Sequence, residues 1–198
     1  MSSTKYTVLP ATTADAPSVL TLVVRAYATN LVDQATYPKK LEHLTPREEL
    51  YAWRLKRIEK ALNAEDALWF KIVPSTSPDK LVGLTGWYKP GHFTEGKGAA
   101  SIVRSAAEFD KDKEGVTPDP PPACRNDLPN RELLAHFDEW RAKIWGSNAD
   151  FWYLGTLTVD PDYQRLGIGG MLMREGLRRA DAEGLPSYIE ATPDGTPM

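Results

Sequence analysis

Apolar and polar positions along this chain repeat with two periods, and each change of period marks an element. A short apolar run from Tyr6 to Leu9 reads as an opening strand ended by Pro10. Thr12 and Asp15 supply a helix start. After them Ala16, Val19, Leu20, Val23, Val24 and Tyr27 recur at the spacing of one buried helical face. A second start signal is Thr45-Pro46-Arg47-Glu48: Thr45 is placed to cap, Pro46 suits the first helical position, and Glu48 can return a bond to the cap. The helix after it runs to about Asn63, with Tyr51, Leu55, Ile58 and Leu62 on one side and Arg54, Lys56, Arg57 and Lys60 on a solvated face. Ala67–Val73 and Leu81–Trp87 follow as two strands of a hairpin joined by the polar stretch Pro74–Asp79.

The rhythm then breaks from Tyr88 to Asp150, an insertion between the third and fourth strands. It holds the glycine-rich stretch 91–98, the charged run 110–114 and the prolines around Pro120. Its middle reads as an exposed, partly mobile loop. Order returns at about Arg131–Trp145, where Leu133, Phe137, Trp140 and Ile144 recur at helical spacing. Phe151 to Val159 is apolar and long enough for a central strand, stopped by Asp160-Pro161. The turn Gln164-Arg165-Leu166-Gly167-Ile168-Gly169-Gly170 leads into a helix with Gly169, Leu172, Met173, Gly176, Leu177 and Ala180 along one arc, closed by Gly184. Ser187–Ala191 is a last short strand. Residues 151–192 therefore read as a βαβ unit, the part of the chain suited to hold a ligand.

Composition narrows the class without naming it. The 198 residues are 41% hydrophobic and 26% charged, as in a packed globule of one domain. With 24 Lys and Arg against 27 Asp and Glu, there is no basic footprint for nucleic acid. One cysteine, Cys124, allows no intramolecular disulfide. No apolar leader or spanning run is legible, since Arg25 interrupts the most apolar early stretch. Together these read as an intracellular protein without membrane contact, cytoplasmic, with a nuclear setting as the other reading. His43, His92 and His136 lie far apart in sequence and suggest no metal centre.

The turn at Gln164–Gly170 carries the chemistry. A glycine-rich turn between a buried strand and a helix presents free backbone N–H groups at the positive end of the helix dipole, which is an anion site. Glycines let a phosphate approach the backbone, and Arg165 adds a positive charge. A nucleotide P-loop is excluded because Gly169-Gly170-Met171 has neither the lysine nor the hydroxyl it needs, and a dinucleotide fingerprint fails where Leu172 replaces its third glycine.

The segment from Leu157 to Leu172 resembles the Q/R-x-x-G-x-G/A motif of the GCN5-related N-acetyltransferases, with Gln164 first and Gly167 and Gly169 in the small positions. The resemblance implies an α/β fold, a mixed β-sheet flanked by helices. It also implies transfer of an acetyl group from acetyl-CoA, or another acyl-CoA, to an amine by direct attack on the thioester. Carried over by position, Gln164, Arg165, Leu166, Gly167, Ile168, Gly169 and Gly170 bind the cofactor pyrophosphate. The strand end Leu157, Thr158 and Val159 pairs with the pantetheine arm, the Val159 N–H facing the thioester carbonyl. Tyr153 stands where histone-acetylating relatives carry a basic glutamate, and with an ordinary pKa near 10 it is a poor base. Glu190 is the alternative proton acceptor, against a solvated strand-end carboxylate. Trp69, Trp87 and Tyr88 read as core, with an amine pocket as the other reading.

The family pattern continues past the last strand with a helix and two further strands, whereas this sequence ends at Met198. Three readings stay open: a fragment, a second copy supplying the sheet edge as a homodimer, or a module that binds acyl-CoA without turnover. A small-molecule amine is the expected acceptor over a protein amine.

Overall fold

A computed structural model describes residues 5–93 and 119–191. The expected loop at the middle of the insertion lies outside the described residues. Five strands form one sheet: β1 (Tyr6–Pro10), β2 (Ala67–Pro74), β3 (Gly83–Tyr88), β4 (Trp152–Val159) and β5 (Ser187–Ile189), in the order β1-β2-β3-β4-β5. The first three pairings are antiparallel and the β4–β5 pairing is parallel, so the sheet is mixed as the sequence implied.

Two layers of helix enclose it. Helices α1 (Ala16–Ala26) and α3 (Arg47–Leu62) cover one face, where Val19, Leu20, Ile58 and Ala61 pack with Trp69, Leu84, Tyr88 and Tyr153. Helix α5 (Ile168–Glu183) covers the other, where Ile168 and Leu172 meet Phe70 and Ile72, and Ala180 meets Trp87, Trp152 and Leu154. The alternation along β2 explains this division, since Trp69 and Phe70 point to opposite faces. Helices α2 (Leu31–Thr36) and α4 (Leu128–Trp145), whose terminal Trp145 joins the cluster on the α1 and α3 face, pack on each other. Asn126 N–H donates to Thr36 O at 2.8 Å, joining them at their ends. No helix among the described residues is long and apolar enough to cross a membrane.

Several local expectations are corrected. The buried face of α1 is Ala16, Val19, Leu20 and Leu22, whereas Val24 is 44% exposed. Leu22 faces inward because α1 lies between β4 and α3 and is covered over a wider arc than one stripe. Thr45 does not cap α3: its hydroxyl accepts the Cys124 N–H at 3.0 Å, and Pro46 holds the cap position. On α3, Trp53 is buried and Tyr51 exposed, and the expected solvated cations Arg54 and Arg57 lie over the rings of Tyr37 and Trp53. Tertiary partners that are remote in sequence decide each of these.

The helix of the insertion departs most. It begins at Leu128, and its buried residues are Leu134 and Arg141. Trp140 and Ile144, expected to face inward, are each 55% exposed. Helix α2 was announced by no period; Asn30 starts it, its Oδ1 accepting the N–H groups of Val32 and Asp33.

Candidate functional site

Strand β4 changes character halfway. Gly86 pairs with Thr156 but the next residue, Trp87, pairs with Leu154, so Gly155 is an extra residue in the ladder, a β-bulge. A Cβ at Gly155 would lie 2.5 Å from the Tyr88 ring, which is fully buried, so only glycine fits there. The bulge reverses the alternation of β4. Before it, Tyr153 packs on the α1 and α3 face while Trp152 and Leu154 pack under α5; after it, Leu157 and Val159 face α5, and Thr158 is buried within 3.5 Å of the Tyr27 hydroxyl.

Hydrogen-bond direction reverses with it. Ahead of the bulge the Trp152 N–H points toward β5 and bonds Pro186 O at 3.0 Å. Beyond it Thr156 O accepts from Thr85 and Asp160 N–H donates to Val82 O, so the even residues face β3. Alternation then turns the N–H and C=O groups of Leu157 and Val159 away from β3. Among the described residues β5 pairs on that side only with Trp152, Tyr153 and Leu154, and so the two strands part at the bulge and leave the edge beyond it open. Of the three strand residues expected to meet a pantetheine arm, Leu157 and Val159 thus lie on the open edge, and Thr158 turns its backbone to Leu84.

The open edge runs into the glycine turn. Asp160 caps the turn Pro161–Tyr163 by accepting the Asp162 N–H at 3.0 Å, and Arg25 of α1 bridges Asp160 and Asp162. Gln164 folds back with its amide 3.4 Å from Val159 O, consistent with that carbonyl facing outward. Arg165 (φ 61°) and Gly167 (φ 78°) both adopt left-handed backbone, the conformation that aims consecutive amides at one point. Gly167 is the N-cap of α5 and brings no side chain to cap it; no acidic residue stands in the first turn. The N-terminal amides of α5 are therefore left for an anion. Nothing lies within 4 Å of a Cβ built at Gly167, and at Gly170 the nearest atom is the Arg174 guanidinium at 4.0 Å. The Arg174 guanidinium lies beside this helix start, and Arg165 stands two residues before Gly167 in the turn. Arg174 lies one turn along the helix from Gly170.

Across the sheet, the structure brings together the two candidates for proton chemistry. The Tyr153 hydroxyl donates to Glu190 at 2.6 Å, from β4 to the residue after β5. Glu190 also accepts from the Arg141 guanidinium of α4, which bonds Asp138 on the same helix. Arg141 lies 4.3 Å over the Phe93 ring. The expectation of a solvated Glu190 is corrected: its side chain is 7% exposed, because α4 covers the end of β5. Burial first, then the charge and hydrogen bond of Glu190, push the Tyr153 hydroxyl far above the ordinary tyrosine range. It remains a neutral donor and is unsuited to act as a base. Tyr188 is raised by the same causes in the same order. The core reading of Trp69, Trp87 and Tyr88 holds, at 4%, 1% and 0% exposure.

Sequence reading missed Arg141 and Asp138 as site residues. Their spacing of three along a helix was visible, but the partner Glu190 is 49 positions away in the chain. His92, buried and bonded to Asp66 at 2.7 Å, was likewise read as an isolated histidine.

Residues 126–198 match the model of the acetyltransferase (GNAT) family. No curated protein matches the sequence. Among solved structures the chain is similar to an agmatine N-acetyltransferase in a mutant apo form, with 13% identity, 96% of this chain and 77% of that one covered, and a TM-score of 0.57. It is also similar to a Corynebacterium glutamicum structure described as histone acetyltransferase HPA2 and related acetyltransferase, with 22% identity, 98% and 81% coverage, and a TM-score of 0.53. At these identities the likeness is one of architecture, the mixed sheet between helices described above.

Proposed function

Starting from the match of residues 126–198 to the model of the GNAT acetyltransferase family, we propose that the chain acts as one domain that transfers an acetyl group from acetyl-CoA to the amine of a small molecule. The observation that carries this reading is the continuity of the open edge of β4 with the uncapped N-terminus of α5. When bound, acetyl-CoA supplies an activated acyl group as its thioester. The amides from Leu166 to Gly170, with Arg165 and Arg174 beside them, hold the pyrophosphate. The Leu157 and Val159 backbone groups pair with the pantetheine arm, as a strand would. The Val159 N–H is the donor assigned to the acyl carbonyl, where a fixed dipole stabilises developing negative charge without reorganising.

Tyr153 and Glu190 belong to the acceptor side in this reading, as orienting groups rather than as a base. Tyr153 is a neutral donor, and Glu190 is already bonded by Tyr153 and Arg141. The proton of the attacking amine therefore leaves to water at the open edge. Transfer then rises with pH along the ionisation of the acceptor amine itself.

Calorimetry with CoA and acetyl-CoA, followed by thiol release over a panel of small amines and a histone peptide, tests the proposal. Cofactor binding with thiol release on the small amines supports it; absence of CoA binding removes it. A second reading, a module that binds acyl-CoA without turnover, is favoured by the engagement of both proton-chemistry candidates in one buried cluster. Binding with no thiol release on any amine selects it.

A further inference from the structure

Arg141 is placed unlike the other cations of α4. Its guanidinium is 8% exposed and spans two carboxylates, Nη1 to Glu190 and Nη2 to Asp138, while its plane lies 4.3 Å above Phe93 and 5.9 Å from the Tyr153 ring. A planar cation that forks between carboxylates and rests on aromatic faces has the recognition geometry specific to guanidinium; an ammonium lacks the fork. Three of the four groups around it come from the sheet side: Phe93 follows β3, Tyr153 is on β4 and Glu190 follows β5. Only the cation and Asp138 come from α4.

Helix α4 is otherwise held at its two ends, by Asn130 bonded to the Thr36 hydroxyl and by Trp145 stacked on Phe151 at 4.6 Å. Of its residues only Leu134 and Arg141 are buried, and its largest apolar side chains, Trp140 and Ile144, are 55% exposed. Arg141 is thus the main hold on the middle of the helix, and a competing cation of the same shape acts on that stretch. The cage also adjoins the working edge, because Tyr153 stands two residues before the bulge where β4 and β5 part.

We propose that Phe93, Tyr153, Glu190 and Asp138 form a binding site for the guanidinium group of a small-molecule ligand, and that Arg141 is its internal occupant. The ligand's guanidinium takes the place of the Arg141 head, and the middle of α4 loosens as it does. This deepens the acceptor-side reading above and rests on it for the identification of the ligand as the acceptor. The cage itself stands on its own geometry.

The probe is methylguanidinium chloride, at millimolar concentration and without cofactor. In Arg141→Ala it fills the vacated space and raises the unfolding temperature in a saturating manner, more than in wild type and more than equal sodium chloride does. Equal responses of Arg141→Ala and wild type overturn the proposal. If Arg141→Ala does not fold, wild type carries the test. Methylguanidinium then accelerates amide exchange across residues 128–145 and sodium chloride does not; unchanged exchange overturns the proposal. The two readings fail separately. CoA binding with no methylguanidinium response removes the cage alone, and a methylguanidinium response without CoA binding removes the transfer reading alone.

Discussion

Gly176 sits in the middle of α5, and replacing it by alanine sets two effects against each other. Alanine in a helix interior is favoured over glycine by about 1 kcal/mol, so propensity alone predicts a more stable protein. In the fold, the new Cβ would lie 2.1, 2.2 and 2.6 Å from three atoms of the Trp87 indole. Ordinary carbon contacts are about 3.5 Å or more, so helix and ring must separate by roughly 1.4 Å. Trp87 is 1% exposed and paired within β3, which leaves it little room to yield. Overpacking of this kind costs about 3 kcal/mol at its upper end, which leaves a net loss of about 2 kcal/mol. For a domain of this size that is a fall of roughly 4–8 °C in Tm. Urea unfolding followed by circular dichroism, at constant m, measures it. A Gly176→Ala protein as stable as wild type, or more so, would refute the packing of α5 on the sheet described here. Because the same helix carries the glycine turn at its N-terminus, CoA affinity should fall with stability.

Gly170→Ala separates those two readouts. Its Cβ meets nothing nearer than the Arg174 guanidinium at 4.0 Å, so stability is kept or slightly raised while calorimetry shows weaker CoA binding. Asp160→Ala removes the cap on Asp162 N–H and should cost about 1 kcal/mol in urea unfolding, whereas Asp160→Asn, which can still accept that bond, retains most of it. Tyr153 has an alkaline signature. Unfolded tyrosine ionises near pH 10 and folded Tyr153 well above it, so above pH 10 the unfolded chain binds fewer protons and stability falls as pH rises. Tyr153→Phe should flatten that part of the stability profile; an unchanged slope counts against the buried bond to Glu190.

The strand, turn and helix proposed to hold the cofactor were legible in the sequence because these parts are neighbours in the chain. Strand, turn and helix from Trp152 to Glu183 are local, and glycines at positions that need left-handed backbone are visible as letters. Gly184 was read as the close of α5 and is its C-cap, and Gly167, read as a small position of the turn, adopts the left-handed backbone that glycine favours. The bulge at Gly155 was not legible, since nothing about a glycine in an apolar run says which partner strand lacks a residue. It decides that Leu157 and Val159, and not Thr158, present their backbone to the open edge.

The acceptor side was readable only as single letters. Tyr153 and Glu190 were picked out separately, but their bond, and the Arg141 that completes it, join three elements across long chain separations. Thr45, Val24, Trp140 and Ile144 tell the same story in the core, where periodicity marks which residues are apolar and not which arc of a helix finds a neighbour.

What this chain's sequence determined by itself was the five strands, three of the helices and the glycine turn that opens α5, because hydrophobic period, caps and positive-φ glycines act over a few residues. The tertiary structure alone decided which strand edge is open and which cation fills the cage beside it. Those depend on pairing register and on charges brought together from distant segments, and burial then makes the contacts selective by removing the water that would otherwise compete for them.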